Sequence, residues 1–185
     1  MRVRPKLFAG VALDERVRSA CAGVSARLQA QNFDAVYEAP EKLHLTMAFL
    51  GYVDAGQTPA ILDAFQQCAA AIAPFSIDLD KLGAFPNERN PHVIWIGARD
   101  QTPFRNAALA VRAALEPLGF EFGKAPVAHV TIARARANGL HLPLLEVEPL
   151  RVHVRALTMF ESLPDKRTTR YEIFSRAPLG LESPQ

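Results

Sequence analysis

The sequence has 185 residues, of which 49% are hydrophobic and 22% are charged. These proportions are ordinary for a globular protein, and they exclude a disordered chain, a fibrous repeat and a small disulfide-stapled domain. With 21 Lys and Arg against 19 Asp and Glu, the formal net charge is only +2. A protein that coats long stretches of nucleic acid carries a larger basic excess, so any contact with nucleic acid should be local.

The N-terminal segment is predicted to form a strand over Lys6–Leu13. Asp14 then caps a helix that runs to about Gln31, because apolar residues recur behind it at helical spacing. A turn at Pro40-Glu41 precedes a second strand, Lys42–Leu50. The apolar stripe of the helix is Val17, Cys21, Val24 and Leu28.

A second helix is predicted to begin at Gln57-Thr58-Pro59, with Thr58 as its N-cap and Pro59 at its first position. Phe75–Phe85 and His92–Ala98 follow as two strands of a hairpin, joined by the polar loop 86–91. The apolar face of the helix is Ile61, Phe65, Cys68 and Ile72.

The third helix opens with the same three residues, Gln101-Thr102-Pro103, and Gly119 is expected to end it. These twin helix starts hint at an internal duplication. Helices mixed with short, hairpin-linked strands favour an α+β fold over a doubly wound parallel sheet. The remaining predictions are strands at Val127–Arg134, Leu150–Glu161 and Tyr171–Ala177, an irregular stretch at 137–149 and a charged turn at 164–170.

Two features bear on the cellular setting. Cys21 and Cys68 both lie in apolar helical patterns, so we expect buried free thiols in a reducing compartment. The apolar run Leu7–Leu13 is followed by charged residues instead of a cleavage site, and no run approaches the roughly 20 apolar residues of a membrane span. A cytoplasmic protein without a membrane partner is the expectation.

Two segments share one pattern: His44–Phe49 reads HLTMAF and His129–Arg134 reads HVTIAR. Histidine, threonine and alanine recur at identical offsets with apolar residues between them. In a strand, side chains alternate, so each histidine shares a face with its threonine about 6.6 Å away. Two such strands related by a pseudo-twofold would place four polar side chains around one groove.

This arrangement suits in-line displacement at phosphorus. One neutral histidine can accept a proton from the attacking water, while a protonated one gives a proton to the leaving oxygen. Threonine hydroxyls can donate to the non-bridging oxygens, and no metal is required. Half-buried structural residues are one alternative. A metal site is another, although no Asp, Glu or Cys lies within four residues C-terminal of either histidine.

At these residues the chain resembles the 2H phosphoesterase superfamily, and more narrowly the RNA 2′,3′-cyclic phosphodiesterases, also called the ThpR or LigT-like 2′-5′ RNA ligase family. The segment Leu82–Pro86 and most of the chain from about residue 6 to 179 share the resemblance. It implies a bilobal α+β fold, with two pseudo-twofold-related lobes that each hold an antiparallel sheet flanked by helices, and an active groove between them. Residues 1–185 would form a single domain made of two duplicated lobes.

The resemblance also implies hydrolysis of RNA 2′,3′-cyclic phosphate ends to 2′-phosphomonoesters, without metal or cofactor. His44 would be the proton donor to the 3′ oxygen and His129 the proton acceptor, whereas the residues alone do not assign acid and base. Thr46, Thr131 and Arg134 would bind phosphate. Some family members also join RNA ends through a 2′-5′ linkage.

Arg134 and Phe49 hold the same place in the two segments. Strict alternation would turn Arg134 away from the histidines, so the strand must end, twist or bulge there. Phe49 could then stack on the terminal base. The alternatives are a surface salt bridge for Arg134 and a core position for Phe49.

Other residues receive plainer predictions. Val127-Ala128 precede His129 where family members often carry an Arg-Pro pair, which puts a substrate contact at that edge in doubt. The segment 166–170 is expected to be a solvated hairpin tip rather than a phosphate contact. Surface or strand-edge positions are expected for His92, His141 and His153.

Two other functions stay open at this point. The same chemistry could act on small cyclic nucleotides, 2′-5′ oligonucleotides or an ADP-ribose cyclic phosphate. The second open function is that of a non-catalytic module that binds RNA ends, although binding alone would not require a matched acid–base pair. A monomer is expected, because no extended apolar stripe is left over.

Overall fold

The computed structural model describes residues 4–165 and 168–180. Three α-helices span Glu15–Ala30 (α1), Thr58–Ala70 (α2) and Thr102–Leu115 (α3). The strands are β1 Lys6–Ala12, β2 Ala35–Tyr37, β3 His44–Tyr52, β4 Phe75–Leu79, β5 Lys81–Phe85, β6 Val93–Gly97, β7 His129–Ala135, β8 Leu150–Val154, β9 Ala156–Asp165 and β10 Thr168–Pro178.

The strands form two four-stranded sheets and one two-stranded ribbon. The first sheet has the order β10-β9-β1-β3, the second has β2-β7-β6-β5, and β4 pairs with β8. Every pairing is antiparallel. The predicted α+β class, with an antiparallel sheet in each half, is therefore confirmed.

Two of the three helices pack on the strands that carry the paired motif. α3 contacts β3, α1 contacts β7, and α2 lies against α3 and β10. The predicted cap of α1 is confirmed, because an Asp14 carboxylate oxygen accepts the backbone N–H of Val17 at 2.8 Å. The four apolar stripe residues of α1 are buried in the hydrophobic core.

Close packing fixes one glycine in the first sheet. A Cβ on Gly10 of β1 would lie 2.2 Å from the carbonyl oxygen of Leu45 in β3. Because that contact is with backbone, no side-chain movement could relieve it. Gly10 therefore sets how closely β1 approaches the strand that carries His44.

The predicted N-cap of α2 is wrong. Gln57 already has helical dihedral angles, and its N–H donates to the carbonyl of Asp54 at 2.9 Å. The chain thus winds through a turn directly into the helix. Thr58 is the first helical residue, and its hydroxyl donates back to the Asp54 carbonyl at 3.4 Å. Pro59 is consequently the second helical residue.

The predicted strand Phe75–Phe85 is two strands. It divides at Asp80, whose carboxylate accepts the backbone N–H of Arg99 at 2.9 Å. β4 leaves to pair with β8, and only β5 forms the predicted hairpin with β6. Leu150–Glu161 divides in the same way at Arg155. Each segment changes partner sheet at the break, which a run of apolar residues does not reveal.

The last hairpin is longer than predicted. β9 extends to Asp165 and β10 begins at Thr168. The predicted turn at 164–170 is thus mostly strand, and its residues 166 and 167 lie outside the described residues. The irregular character of 137–149 is confirmed, since that stretch holds no helix or strand.

Both cysteines are free thiols, as predicted. Cys21 is fully buried, and burial raises its pKa to about 12, so it is an inert core residue. Cys68 is only half-buried, so the prediction of a buried thiol is met in part there. Its side chain lies at the margin of the α2 face that packs inward.

The third helix ends at Leu115, earlier than predicted, and Gly119, with φ +89°, ends the short 3-10 turn that follows it. No helix in the described part of the chain is long and apolar enough to cross a membrane.

Candidate active site

β3 and β7 contain the same backbone irregularity. The pairing of β3 with β1 skips Met47, and the pairing of β7 with β6 skips Ile132, at equal distances from the two histidines. A bulge of this kind reverses the alternation of side chains beyond it. Phe49 and Arg134 therefore share the face of the histidines. Of the irregularities expected at Arg134, an end, a twist or a bulge, the structure has a bulge, two residues earlier at Ile132.

The carbonyl of each bulged residue has a partner from another element. The Met47 carbonyl accepts the Nε–H of Arg112 in α3 at 2.9 Å. The Ile132 carbonyl accepts the backbone N–H of Glu38, which directly follows β2, at 2.9 Å. The carbonyl at each bulge is thus paired, by a side chain of α3 at Met47 and by the continuation of the β2–β7 pairing at Ile132.

Backbone carbonyls orient both imidazoles identically. Nδ1 of His44 lies 2.6 Å from the carbonyl oxygen of Lys42, and Nδ1 of His129 lies 2.8 Å from that of Val127. Because a carbonyl oxygen only accepts, each Nδ1 carries the proton and donates it. In the neutral form, each Nε2 is then an unprotonated nitrogen. That of His44 lies 3.0 Å from the hydroxyl of Thr46.

Aromatic rings desolvate both histidines. Three rings surround His44, with centroids 4.9 to 5.5 Å from its own, and two surround His129 at 5.1 and 6.3 Å. This burial lowers the pKa of each imidazole below its ordinary value, and the carbonyl at Nδ1 opposes the shift in part. The rings are Phe8, Phe160 and Tyr171 beside His44, and Phe85 and Trp95 beside His129.

Both His-Thr pairs open onto one groove of about 150 Å³ between the two sheets. The structure thus brings together the five polar residues that the sequence singles out. The groove is lined by Glu38, Lys42, His44, Thr46, His129, Thr131, Arg134 and Tyr171.

Arg134 lines the groove and also forms a surface salt bridge, the two alternatives considered for it. Its side chain lines the groove, and its Nε also donates to a carboxylate oxygen of Glu38 at 3.2 Å. More than half of the side chain is exposed, so the guanidinium keeps further donors toward the groove. An anion in the groove can therefore be met by Arg134 without breaking the ion pair.

Phe49 is not a core residue, because 54% of it is exposed. Its ring stacks beside that of Phe8 with centroids 6.4 Å apart. It lines a second groove, which shares His44 and Thr46 with the first. An exposed ring next to the histidine groove is available to a ligand.

Sequence reasoning missed three lining residues: Glu38, Lys42 and Tyr171. Glu38 follows the unpredicted three-residue strand β2, and Tyr171 comes from β10, more than a hundred residues beyond His44. Lys42 had the clearest signal, because alternation in the predicted strand Lys42–Leu50 puts its side chain on the face of His44. Burial raises the pKa of Tyr171, and the charge of Glu38 adds to that effect.

The backbone N–H of Ala128, where the sequence lacks an Arg-Pro pair, donates to the side-chain oxygen of Gln101 at 2.6 Å. The amide nitrogen of Gln101 in turn donates to the carbonyl of Ala98. Gln101 thus ties the entry of β7 to the end of β6. The three remaining histidines are exposed, as predicted: His92, His141 and His153.

The twin Gln-Thr-Pro helix starts do not occupy corresponding places. α2 follows the strand of its motif, β3, whereas α3 precedes β7. The segments that correspond are β1-α1-β3 and β6-α3-β7, in which a helix connects two paired strands and the second carries the histidine. Within the described residues, no group of three His, Cys, Asp or Glu side chains is placed to hold a metal ion.

Comparisons with known proteins by sequence and by structure agree on one family. Residues 11–95 match the family described as LigT like phosphoesterases. An RNA 2′,3′-cyclic phosphodiesterase of Archaeoglobus fulgidus is 31% identical over 71% of this chain and 73% of its own length. One of Thermus thermophilus is 34% identical over 75% of this chain and 72% of its own. A solved structure from Thermus thermophilus, 28% identical, superposes with a TM-score of 0.77 over 96% of this chain and 100% of its own.

Proposed function

The chain belongs to the LigT-like phosphoesterase family, and from this membership we propose that it hydrolyses the 2′,3′-cyclic phosphate at the 3′ end of RNA to a 2′-phosphomonoester. The observation that carries the proposal is the shared orientation of two imidazoles. Carbonyls hold Nδ1 of His44 and of His129, and both side chains line one groove. Two such groups can serve the attacking and the leaving oxygen of an in-line displacement. The curated relatives that bear this activity in their names support the choice of substrate.

The reaction needs one histidine in each protonation state. Nε2 of neutral His129 accepts a proton from water as its oxygen bonds to phosphorus. Nε2–H of protonated His44 donates its proton to the 3′ oxygen as the bond from phosphorus to that oxygen breaks. The 2′ ester bond remains, so the product is a 2′-phosphomonoester. Proton exchange with solvent then resets both imidazoles.

The burial that lowers both histidine pKa values serves this division of roles. It keeps His129 neutral near pH 7 and makes protonated His44 a stronger acid. The anionic phosphate opposes the shift when it binds, because a nearby negative charge favours the protonated imidazole. Glu38 acts in the same direction on His44. A carboxylate in the same groove as His44 supports its assignment as the donor.

Three further side chains would stabilise the developing charge. The hydroxyls of Thr46 and Thr131 would donate to the non-bridging oxygens, and Arg134 would add a charge-assisted hydrogen bond. The ring of Phe49 would stack on the terminal base. None of these steps requires a metal or a cofactor. If a 5′-hydroxyl of another RNA replaces water, the same groups join two ends through a 2′-5′ linkage.

We also propose that the two halves of the single domain descend from one duplicated unit. The matched bulges at Met47 and Ile132 support this, as does the shared order of strand, helix and histidine strand. Three matched residues can recur by chance. A bulge at the same distance from each histidine is a second match, which the three residues alone do not predict.

The test is direct incubation with an RNA oligonucleotide that ends in a 2′,3′-cyclic phosphate, in excess EDTA, with phosphorus NMR of the product. We expect complete conversion to the 2′-phosphomonoester. Unchanged substrate would contradict the function, and a 3′-phosphate product would contradict the assignment of the leaving oxygen. Adenosine 2′,3′-cyclic phosphate and a 2′-5′ oligonucleotide are tested in parallel, since turnover of these alone would indicate a small-nucleotide phosphodiesterase.

A further inference from the structure

The second groove extends the histidine groove along β3. It has a volume of about 190 Å³ and shares His44, Thr46 and Tyr171 with the first. The rest of its lining is Lys6, Phe8, Phe49, Ser162 and Thr169, of which Phe8 lies next to the histidine. A ligand that enters at the phosphate position can therefore continue along this strand.

A second bulge in β3 brings one more aromatic residue to the same side. The pairing with β1 skips Leu50, and Gly51 has φ +74°, a conformation that glycine adopts without strain. The alternation reverses again, so Tyr52 lies on the side of Phe49. The Lys6 ammonium shows this directly, because it lies 5.5 Å from the Phe49 ring centroid and 5.7 Å from that of Tyr52.

Both rings are open to solvent. Tyr52 is 67% exposed and Phe49 is 54% exposed, although both are large enough to contribute to a core. Among the described residues Lys6 has no carboxylate within 4.0 Å. Its charge is thus available to an anion at a point between two ring faces.

Aromatic faces beside a cation are the means by which proteins hold single-stranded nucleic acid. Each base stacks on a ring, and the phosphate between two nucleotides meets the positive charge. Only the terminal nucleotide reaches the histidines, so the next site along β3 would receive its 5′ neighbour. The Phe49 ring precedes the Tyr52 ring along that path.

We propose that Tyr52 and Lys6 form a binding site for the penultimate nucleotide of an RNA substrate. The penultimate base stacks on the Tyr52 ring, and Lys6 contacts the phosphodiester that joins it to the terminal nucleotide. The site makes the enzyme selective for RNA ends over mononucleotide cyclic phosphates. This inference rests on the proposed function and specifies its substrate class.

The test compares kcat/KM for a diadenosine ending in a 2′,3′-cyclic phosphate with that for adenosine 2′,3′-cyclic phosphate. We expect the wild type to prefer the dinucleotide and Tyr52→Ala to reduce that preference about fivefold or more, because a stacked base contributes about 1–3 kcal/mol. Tyr52→Phe, which keeps the ring, should retain it. Phe174→Ala, which removes a partly exposed ring in another groove, should leave the preference unchanged. Equal kcat/KM for both substrates in the wild type would overturn the proposal.

The phosphate contact of Lys6 is tested by the salt dependence of kcat/KM. Lys6→Gln should lower the slope of log kcat/KM against log salt for the dinucleotide by about 0.7, the value for one phosphate contact with a single strand. An unchanged slope would contradict the phosphate contact.

A binding measurement separates this proposal from the proposed function. The Kd of diadenosine ending in a 2′-phosphate is compared with that of adenosine 2′-phosphate, which requires no turnover. If neither cyclic substrate is hydrolysed, the proposed function fails, while tighter binding of the dinucleotide that depends on Tyr52 still supports the site. If both are hydrolysed and both 2′-phosphates bind equally, the penultimate site is wrong and the proposed function stands.

Discussion

β3 and β7 hold histidine, threonine and alanine in one backbone shape, with a bulge at Met47 in the first strand and at Ile132 in the second. Their surroundings differ. His44 lies among three rings and near Glu38, whereas His129 lies beside two rings. The shared shape fixes the tautomer of both imidazoles. Burial lowers the pKa of both, and the charge of Glu38 opposes that shift at His44 alone. Geometry can thus be duplicated while proton affinity is set locally.

The same comparison applies beyond the bulges. Phe49 and Arg134 occupy corresponding places on the histidine face, one as an exposed ring and the other as an exposed cation. The first can receive a base and the second an oxyanion. Two strands of the same backbone shape therefore carry different side chains at the same place, one suited to a base and the other to a phosphate.

The largest effect is expected from removing each of the two histidines in turn. His44→Ala and His129→Ala should each lower kcat/KM by about 10²–10⁴-fold, because each removes one proton transfer. The rate is measured with the cyclic-phosphate RNA, and circular dichroism checks that each variant is folded. Near-normal activity in either variant would contradict the two-histidine mechanism.

The next comparison is between Arg134 and Phe49. Arg134→Ala should lower kcat/KM about tenfold to a hundredfold, since a hydrogen bond to a charged group contributes about 1.5–3 kcal/mol. Phe49→Ala should mainly raise KM, about fivefold or more, because stacking is made equally in ground and transition states.

Arg136→Ala is the matched control for the arginine. Arg136 is equally exposed and pairs with Asp34 at 3.9 Å, outside the groove. If its removal cost as much activity as that of Arg134, the effect would come from net charge and the phosphate contact would be refuted.

A stability comparison separates the twin helix starts. Gln101→Ala leaves the buried backbone N–H of Ala128 without its acceptor and should lower the free energy of unfolding by about 1–3 kcal/mol. Gln57→Ala, at the start of α2, should change it by no more than about 0.5 kcal/mol. Urea denaturation measures both. Equal losses would show that the two glutamines have equivalent roles.

The smallest effect concerns the charge near His44. The proton donor must be protonated, so activity falls as pH rises through its pKa. Because burial lowers that pKa, the alkaline limb of kcat/KM should lie below histidine's ordinary value of about 6.5. Glu38→Gln removes a charge that raises the pKa of His44 and should move this limb to still lower pH. Glu88→Gln, an exposed glutamate outside the groove, should leave it in place.

The sequence predicts the half of the site that lies on two strands. The His-Thr spacing puts both pairs on exposed faces, and the place of Arg134 requires a break in alternation. Glu38 and Tyr171 could not be predicted, because β2 has three residues and β10 reaches the groove only through tertiary pairing. The division of Phe75–Phe85 into two strands could not be predicted for the same reason, since Asp80 marks a change of partner sheet. Local pattern specifies a face, and long-range pairing decides which faces meet.

The pH dependence of the residual activity in the two histidine variants tests the division of roles most directly. A base lost at position 129 removes the rise of kcat/KM with pH, and an acid lost at position 44 removes its fall. We predict that His129→Ala keeps only the alkaline limb and His44→Ala keeps only the acidic limb. The reverse pattern, or both limbs in either variant, would contradict the assignment of His44 as donor and His129 as acceptor.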